Sequence, residues 1–529
     1  MNREDAADAT RAVDGAAAVV ATAARHLGGR DLDAQQAVAY DLAHAAAGVE
    51  AARAILDYGG RGDVEARIAC AFVADVVHDV ASRVLGREDA WGVDAGALAD
   101  ALGASARWRA PEFLAALCGE DGPRHLDADY EMVQDTFRRF AEERVRPVAE
   151  HVHRTNSDIP EAVIAGLAEL GTFGLSIPSE YGGFSEGGEG EYLAMVVATE
   201  ELSRGSLGVA GSLITRPEIL TRALVKGGTE EQKRHWLPLL ASGEILNAVA
   251  VTEPDFGSDV AGVKVTARPL DGGWVINGVK TWCTFAARAD VFMLLARTDP
   301  DPRAAHRGLS MFIVPKPRGE GHGFSFAQED RGGRLSGRAI DTLGYRGMHS
   351  YEVAFEDWWV PDDHLIGGAD GVGRGFYLQM AGFENGRLQT AARAIGVMQA
   401  AYEAAAAYAS ERRVFGQPLV EYQLTRVKLA RMAVIVQAAS QFAYRVARLM
   451  ARGEGAMEAS LIKAYVCRSA EWVTREAMQI HGGMGYAEEF PVSRYFVDAR
   501  VLSIFEGADE TLALRVIARR LVEQAAAGA

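Results

Sequence analysis

The stretch Trp274-Val-Ile-Asn-Gly-Val-Lys-Thr-Trp-Cys-Thr-Phe285 decides how this chain is read. Its β-branched and aromatic residues predict two strands, Trp274–Ile276 and Val279–Phe285, with Asn277-Gly278 as the turn between them. Upstream, Val263-Lys-Val-Thr-Ala267 alternates and Asp271-Gly-Gly273 turns. Downstream, Val291–Leu295, Met311–Val314 and Tyr351–Phe355 continue the strand pattern. These runs predict a β-domain over 247–370.

Helical periodicity frames that domain on both sides. Val64, Ile68, Phe72, Val76, Val80 and Val84 recur every four residues, and Val38, Leu42, Val49 and Leu56 mark a preceding helix. No proline occurs before Pro111, and alanine dominates that region. Residues 1–120 therefore read as a helical extension. Its His44 and His78 read as structural, with no catalytic constellation around them. Residues 121–246 form a second helical region, with a surface loop from Tyr181 to Gly190. Residues 371–529 predict a bundle, with helices near 376–409, 420–452, 456–480 and 507–525. The fold class is α+β, mainly α.

Composition narrows the function. Lys and Arg total 55 against 72 Asp and Glu, a net charge of -17. That balance opposes a dedicated nucleic-acid binder, which needs a basic face. The four cysteines, Cys70, Cys118, Cys283 and Cys467, are scattered without a CxxC pair, which argues against disulfides and zinc; no metal ligand set is expected. No apolar run approaches the ~18 residues of a membrane span. Glu4, Asp5, Asp8 and Asp14 give the N-terminus the wrong charge for a signal peptide, so a cytoplasmic enzyme is expected. There is no strand–GxGxxG–helix unit, because Gly371-Val-Gly-Arg-Gly375 has the wrong third spacing. A redox cofactor would need another scheme.

Four segments carry a resemblance. They are Val251-Thr-Glu-Pro-Asp-Phe-Gly-Ser-Asp-Val260, Ile276–Thr284, Arg387–Gly396 continued by Tyr408–Leu419 and Gln423, and Gln479-Ile-His-Gly-Gly-Met-Gly-Tyr486 followed by Ile504-Phe-Glu-Gly507. In this order and spacing the chain resembles the acyl-CoA dehydrogenase family over roughly residues 125–529. The resemblance implies an N-terminal helical domain, a middle β-domain and a C-terminal four-helix bundle, here with an additional N-terminal extension. It also implies FAD, an acyl-CoA substrate, electron-transfer flavoprotein as electron acceptor, and a homotetramer built as a dimer of dimers.

The chemistry asks for specific groups. Desaturation at Cα–Cβ removes a weakly acidic proton and a hydride. Glu506 matches the family's catalytic glutamate; the family's alternative base position is Gly386 here, which has no side chain. Val251, Thr252, Gly257, Ser258, Trp282 and Thr284 match residues around the flavin, with Ser258 also near the CoA chain. Arg412, Phe415, Gln423, Gln479, Gly482 and Gly483 match residues holding the adenine and pyrophosphate, partly from a neighbouring subunit. An arginine suits a pyrophosphate because its planar fork binds two oxygens. Arg387 and Gly507 match substrate-binding positions. After Gly507 the family usually carries threonine, and this chain has Ala508; Glu510 stands where an amide is sometimes found. Those two contacts are not carried over.

The extension, Leu343–Val353, Gly211–Ile219 and Phe383–Gly396 resemble a subfamily acting on a short branched dicarboxylic thioester. A distal carboxylate buried unpaired costs several kcal/mol, so a cation is expected in the pocket. Arg216 is the first candidate, then Arg346 and Arg204; Tyr351 and Glu352 are expected to shape the same region. Dehydrogenation of another short acyl-CoA, or an oxidase or monooxygenase on the same fold, stays open. The net charge and the intact base oppose a DNA-binding or scaffold role.

Overall fold

The computed structural model describes residues 3–527. The chain forms two compact units, one from Met1–Val133 with Thr390–Ala529 and one from Gln134–Gln389.

In the second unit, eight strands build one sheet: β1 (Asn247–Ala250), β2 (Thr266–Pro269), β3 (Gly273–Thr284), β4 (Val291–Arg297), β5 (Leu309–Pro315), β6 (Gly323–Ala327), β7 (Arg334–Ile340) and β8 (Ser350–Pro361). Their order is β1-β4-β2-β3-β8-β7-β6, with β5 also on β4. Strand β4 is buried along Val291–Ala296 because both its faces are covered. Val291, Met293 and Leu295 pack with Leu220 and Leu224 of helix Thr215–Gly227 and Leu237 and Leu240 of helix Glu230–Ala241. On the other face Phe292 meets Phe355 edge-on at 5.8 Å. Thr229 and Gln232 close a reciprocal capping box at the second helix, satisfying two otherwise orphaned N–H groups.

The Asp271-Gly272 turn forms as read, with φ of 47° and 75° and paired bonds between Leu270 and Gly273. Asn277-Gly278 does not turn. Strand β3 runs straight through it, and the register against β8 shifts between Ile276 and Gly278. Gly278 sits at φ 132°, and a Cβ there would lie 2.8 Å from Val265. The dipeptide is a bulge pressed against β2's approach, a use of glycine that local pattern does not separate from a hairpin. β2 begins at Thr266, so Val263–Val265, expected as strand, lies outside it. Strands β1, β6 and β7 carry no expectation from the sequence.

In the first unit, helices Arg3–His26, Gln36–Gly59 and Asp63–Val84 pack together and against Gln423–Ala451 and Ala456–His481. Alanine dominates because backbones approach closely: Ala39, Ala43, Ala46, Ala47 and Ala51 are buried on one helix. A Cβ on Gly48 would already touch Val76 at 3.4 Å. The extension and the C-terminal helices thus share one unit. The long helix Gly375–Glu411 enters it from Thr390 onward. Helix Val492–Leu502 was not expected, and the last helical stretch is broken into Asp509–Thr511, a wide π-turn at Leu512–Ala518 and Arg519–Ala527. Among the described residues, no helix is long and apolar enough to cross a membrane.

Candidate active site

In the second unit the decisive feature is a second bulge in β3. Lys280 pairs with Val353 and Cys283 with Tyr351, so two β3 residues, Thr281 and Trp282, stand opposite the single Glu352. The bulge puts Trp282 at φ 56°, a strained conformation for an aromatic residue, and turns its indole outward, 55% exposed. The Thr281 N–H donates to Thr252 O at 2.8 Å. Lys280 is fully buried, and its Nζ donates to Val251 O at 2.8 Å and Glu253 Oε1 at 2.9 Å. Glu253 also accepts from the N–H groups of Lys264 (2.7 Å) and Val265 (2.8 Å). Burial pushes the Lys280 ammonium down, and the Glu253 charge opposes that shift. Val251 and Thr252 are therefore fixed beside Trp282 by a buried ion pair.

Thr284 ends the strand, with its hydroxyl 3.0 Å from Ser350 Oγ. Gly257 and Ser258 are exposed on the loop leaving the Val251–Glu253 segment. A Cβ on Gly257 would meet nothing closer than Thr252 at 3.9 Å. Packing within the chain therefore does not demand glycine there.

The arginine candidates separate. Arg216 is buried, and its Nε donates to Ser212 O at 3.3 Å. Among the described residues no carboxylate pairs with it. Arg346 spends its guanidinium on Thr342 O (3.2 Å) and His153 O (2.8 Å), as a latch between loops. Arg204 is paired with Glu142 at 2.6 Å. Arg387 is half-buried one residue beyond the buried Gly386. The neighbouring Asn385 donates to Glu218, which lies 3.6 Å from Arg222. Burial raises the Glu218 carboxyl, with Arg222 opposing. Tyr351 is a core residue whose hydroxyl donates to Gly321 O at 2.8 Å, while Glu352 is exposed.

In the first unit, Glu506 lies on the turn after helix Val492–Leu502, half-buried and at φ 56°, followed by Gly507 at φ 98°. Lys463, itself buried, donates from Nζ to Gly507 O at 2.8 Å. Phe505 sits beneath the Arg393 guanidinium at 5.1 Å. Among the described residues, no acceptor takes the Glu506 N–H. On the far side of Ala508, Asp509 accepts from Tyr40 at 2.5 Å and lies 3.2 Å from His44 Nε2.

Several of the remaining positions adjoin, in the chain, one aromatic stack. Tyr408 lies on the His481 ring, centroids 4.2 Å apart. One turn beyond Tyr408 come Arg412, exposed and without a carboxylate partner among the described residues, and Phe415, 99% exposed at a hairpin tip with φ 48°. Flanking His481 are the exposed Gln479, Gly482 and Gly483, with open space beside both glycines. Gln423 is exposed, and its amide lies 3.5 Å from Glu112. Within this unit, Arg412, which has no carboxylate partner among the described residues, and the open backbone at Gly482 and Gly483 suit an anionic phosphate chain; in the second unit, the exposed Trp282 indole and the Thr284 hydroxyl at the strand end suit a planar ring with polar edges.

Sequence reasoning missed Lys280, Glu253, Lys463 and the Tyr40–His44–Asp509 contact. Only Lys280 carried a signal: a charged side chain at an inward strand position demands a buried partner.

Family models described as "Acyl-CoA dehydrogenase" N-terminal, middle and C-terminal domains match residues 127–244, 248–358 and 373–522. A (2S)-methylsuccinyl-CoA dehydrogenase of Cereibacter sphaeroides is 46% identical over 403 residues, 76% of this chain and 71% of that protein. The butyryl-CoA dehydrogenase structure from Megasphaera elsdenii superposes with TM-score 0.68 at 29% identity, covering 75% of this chain and 99% of its own. A glutaryl-CoA dehydrogenase from Mycobacterium smegmatis in complex with FADH2 gives TM-score 0.64 at 25% identity, covering 76% and 96%.

Proposed function

The chain belongs to the acyl-CoA dehydrogenase family, as an FAD-dependent dehydrogenase, and from that premise we propose that it oxidises (2S)-methylsuccinyl-CoA to mesaconyl-CoA. The observation that carries the substrate assignment is Arg216. A buried guanidinium without a carboxylate partner is costly unless a ligand supplies the anion, and this substrate brings a free carboxylate on its β-carbon. The identity to a methylsuccinyl-CoA dehydrogenase supports the same reading.

In the proposed reaction the Glu506 carboxylate takes the proton from Cα. The β C–H bond then breaks with its electron pair, and the Cα–Cβ double bond forms. FAD, when bound, supplies the acceptor for that hydride. The free Glu506 N–H donates to the thioester oxygen and lowers the cost of the developing enolate. Trp282 would hold a flavin ring by its exposed aromatic face, and Thr284 would offer a hydroxyl to its polar edge. Val251, Thr252, Gly257 and Ser258 would border the flavin and phosphates. Arg412, Phe415, Gln423, Gln479, Gly482 and Gly483 hold the adenine and pyrophosphate in an assembly of at least two copies. Arg387 and Gly507 contact the thioester and CoA chain. Electrons pass to electron-transfer flavoprotein, and the reaction serves the ethylmalonyl-CoA pathway in the cytoplasm.

Anaerobic mixing with (2S)-methylsuccinyl-CoA tests this. Rapid loss of the oxidised-flavin absorbance with mesaconyl-CoA formed supports the assignment. A yellow protein that stays oxidised removes this substrate and keeps the family.

A further inference from the structure

Glu506 is held in a backbone conformation that no local preference supports. Its φ of 56° costs on the order of 1–3 kcal/mol for a residue other than glycine, so the surroundings must impose it. Two supports are visible. Behind the turn, Lys463 holds Gly507 O. Ahead of it, the Asp509 N–H donates to Ser503 O at 3.1 Å, and the Asp509 side chain is gripped by the extension.

That grip is specific. Tyr40 and His44 stand one turn apart on helix Gln36–Gly59, their rings edge to face at 4.6 Å. Both converge on Asp509 Oδ2. Arg468 adds a guanidinium over the Tyr40 ring and a contact of 3.4 Å to its hydroxyl. The His44 side chain is 4% exposed and that of Asp509 13%, so the contact is shielded from water. Burial lowers the His44 imidazole, which at neutral pH is uncharged and donates from Nε2. Burial works to raise the Asp509 carboxyl, but the bonds from His44 and Tyr40 outweigh it and hold it below the usual range.

We propose that the N-terminal extension sets the catalytic turn: Tyr40 and His44 are positioning residues that, through Asp509, hold Glu506–Ala508 in the geometry for proton abstraction. This rests on Glu506 being the base. It gives the extension a role in the rate of the chemical step, beyond packing.

The test uses the full-length, FAD-loaded protein and whichever acyl-CoA reduces the wild type, read by anaerobic stopped-flow. Tyr40→Phe/His44→Leu should slow flavin reduction at saturating substrate at least tenfold. FAD content and half-saturating substrate concentration should stay within twofold. His44→Gln, whose amide can donate from the same place, should restore most of the loss attributable to His44. In an Asp509→Asn background the same double substitution should cost less than a further twofold, because the connection is already cut. Tyr40→Phe alone removes one hydroxyl without disturbing packing, and should slow reduction severalfold even if the double variant misfolds. Reduction within twofold of wild type in both Tyr40→Phe and the double variant overturns the proposal. So does a loss that tracks FAD content, or one that persists in full with Asp509→Asn. Glu506→Gln, run alongside, separates the premise: continued reduction in that variant removes Glu506 as the base, whatever the Asp509 series gives.

Discussion

Lys280 and Trp282 stand two residues apart on β3 and lie in opposite environments, one fully buried and the other more than half exposed. In a regular strand they would share a face. The bulge between Lys280 and Cys283 breaks that rule, sending the ammonium inward to Glu253 and the indole outward. Lys280→Met leaves the buried Glu253 carboxylate without its cation, held only by two backbone N–H groups, and should destabilise the protein by about 3–5 kcal/mol. Lys280→Met/Glu253→Gln should recover most of that loss. Denaturant unfolding of the three proteins checks the sign and the recovery.

Glu506→Gln keeps the shape of the side chain and removes its basicity. Flavin reduction should fall by about 10²–10⁴-fold with FAD still bound. Anaerobic mixing with the acyl-CoA, together with the flavin-to-protein ratio, measures both at once.

Arg216→Met should act on charge rather than on the thioester. A buried charge pair that loses one partner costs about 2–5 kcal/mol. The kcat/KM for (2S)-methylsuccinyl-CoA relative to 2-methylbutyryl-CoA should therefore fall by about 30-fold to a few thousandfold. Equal losses on both substrates would put the distal carboxylate elsewhere.

The Tyr40–His44–Asp509 contact carries a pH signature. The His44 imidazole has its folded value lowered, so as pH falls below about 6.5 the unfolded chain takes up a proton that the folded one refuses. Stability should drop with acidification from about 6.5 down to the folded value, and less so in His44→Gln. Asp509 is lowered as well, so its stabilising contribution is complete above about pH 4 and is lost as pH falls through its folded value. The stability difference between wild type and Asp509→Asn should be flat near neutrality and shrink below about pH 4. Urea unfolding at a series of pH values measures both.

Much of this protein was legible in its sequence, for reasons that differ by residue. The β4 run Val291–Leu295 and the four-residue repeat from Val64 to Val84 are dictated by burial, and burial leaves a periodic trace. The segment around Glu506 could carry the family resemblance because its residues are contiguous. Asn277-Gly278 was misread because glycine serves a bulge and a hairpin by the same positive φ. Strands β6 and β7 escaped because few of their side chains are buried. Arg204 and Arg346 looked like anion receivers until their partners, Glu142 and two backbone carbonyls, came into view. No local pattern ties His44 to Asp509, because the two are 465 positions apart.

That separation also governs the order in which the molecule is made. Tyr40 leaves the ribosome 469 residues before Asp509, roughly twenty to ninety seconds earlier at about 5–20 residues per second. For most of that interval the part of helix Gln36–Gly59 that packs on Gln423–Ala451 and Ala456–His481 has been synthesised ahead of them. Helices Arg3–His26 and Asp63–Val84 can cover part of this face early, but the part that packs on the C-terminal helices waits until they emerge. A holding chaperone, or a pause that shortens the wait, would therefore matter more for the yield of this protein than for a bundle whose helices are neighbours in sequence.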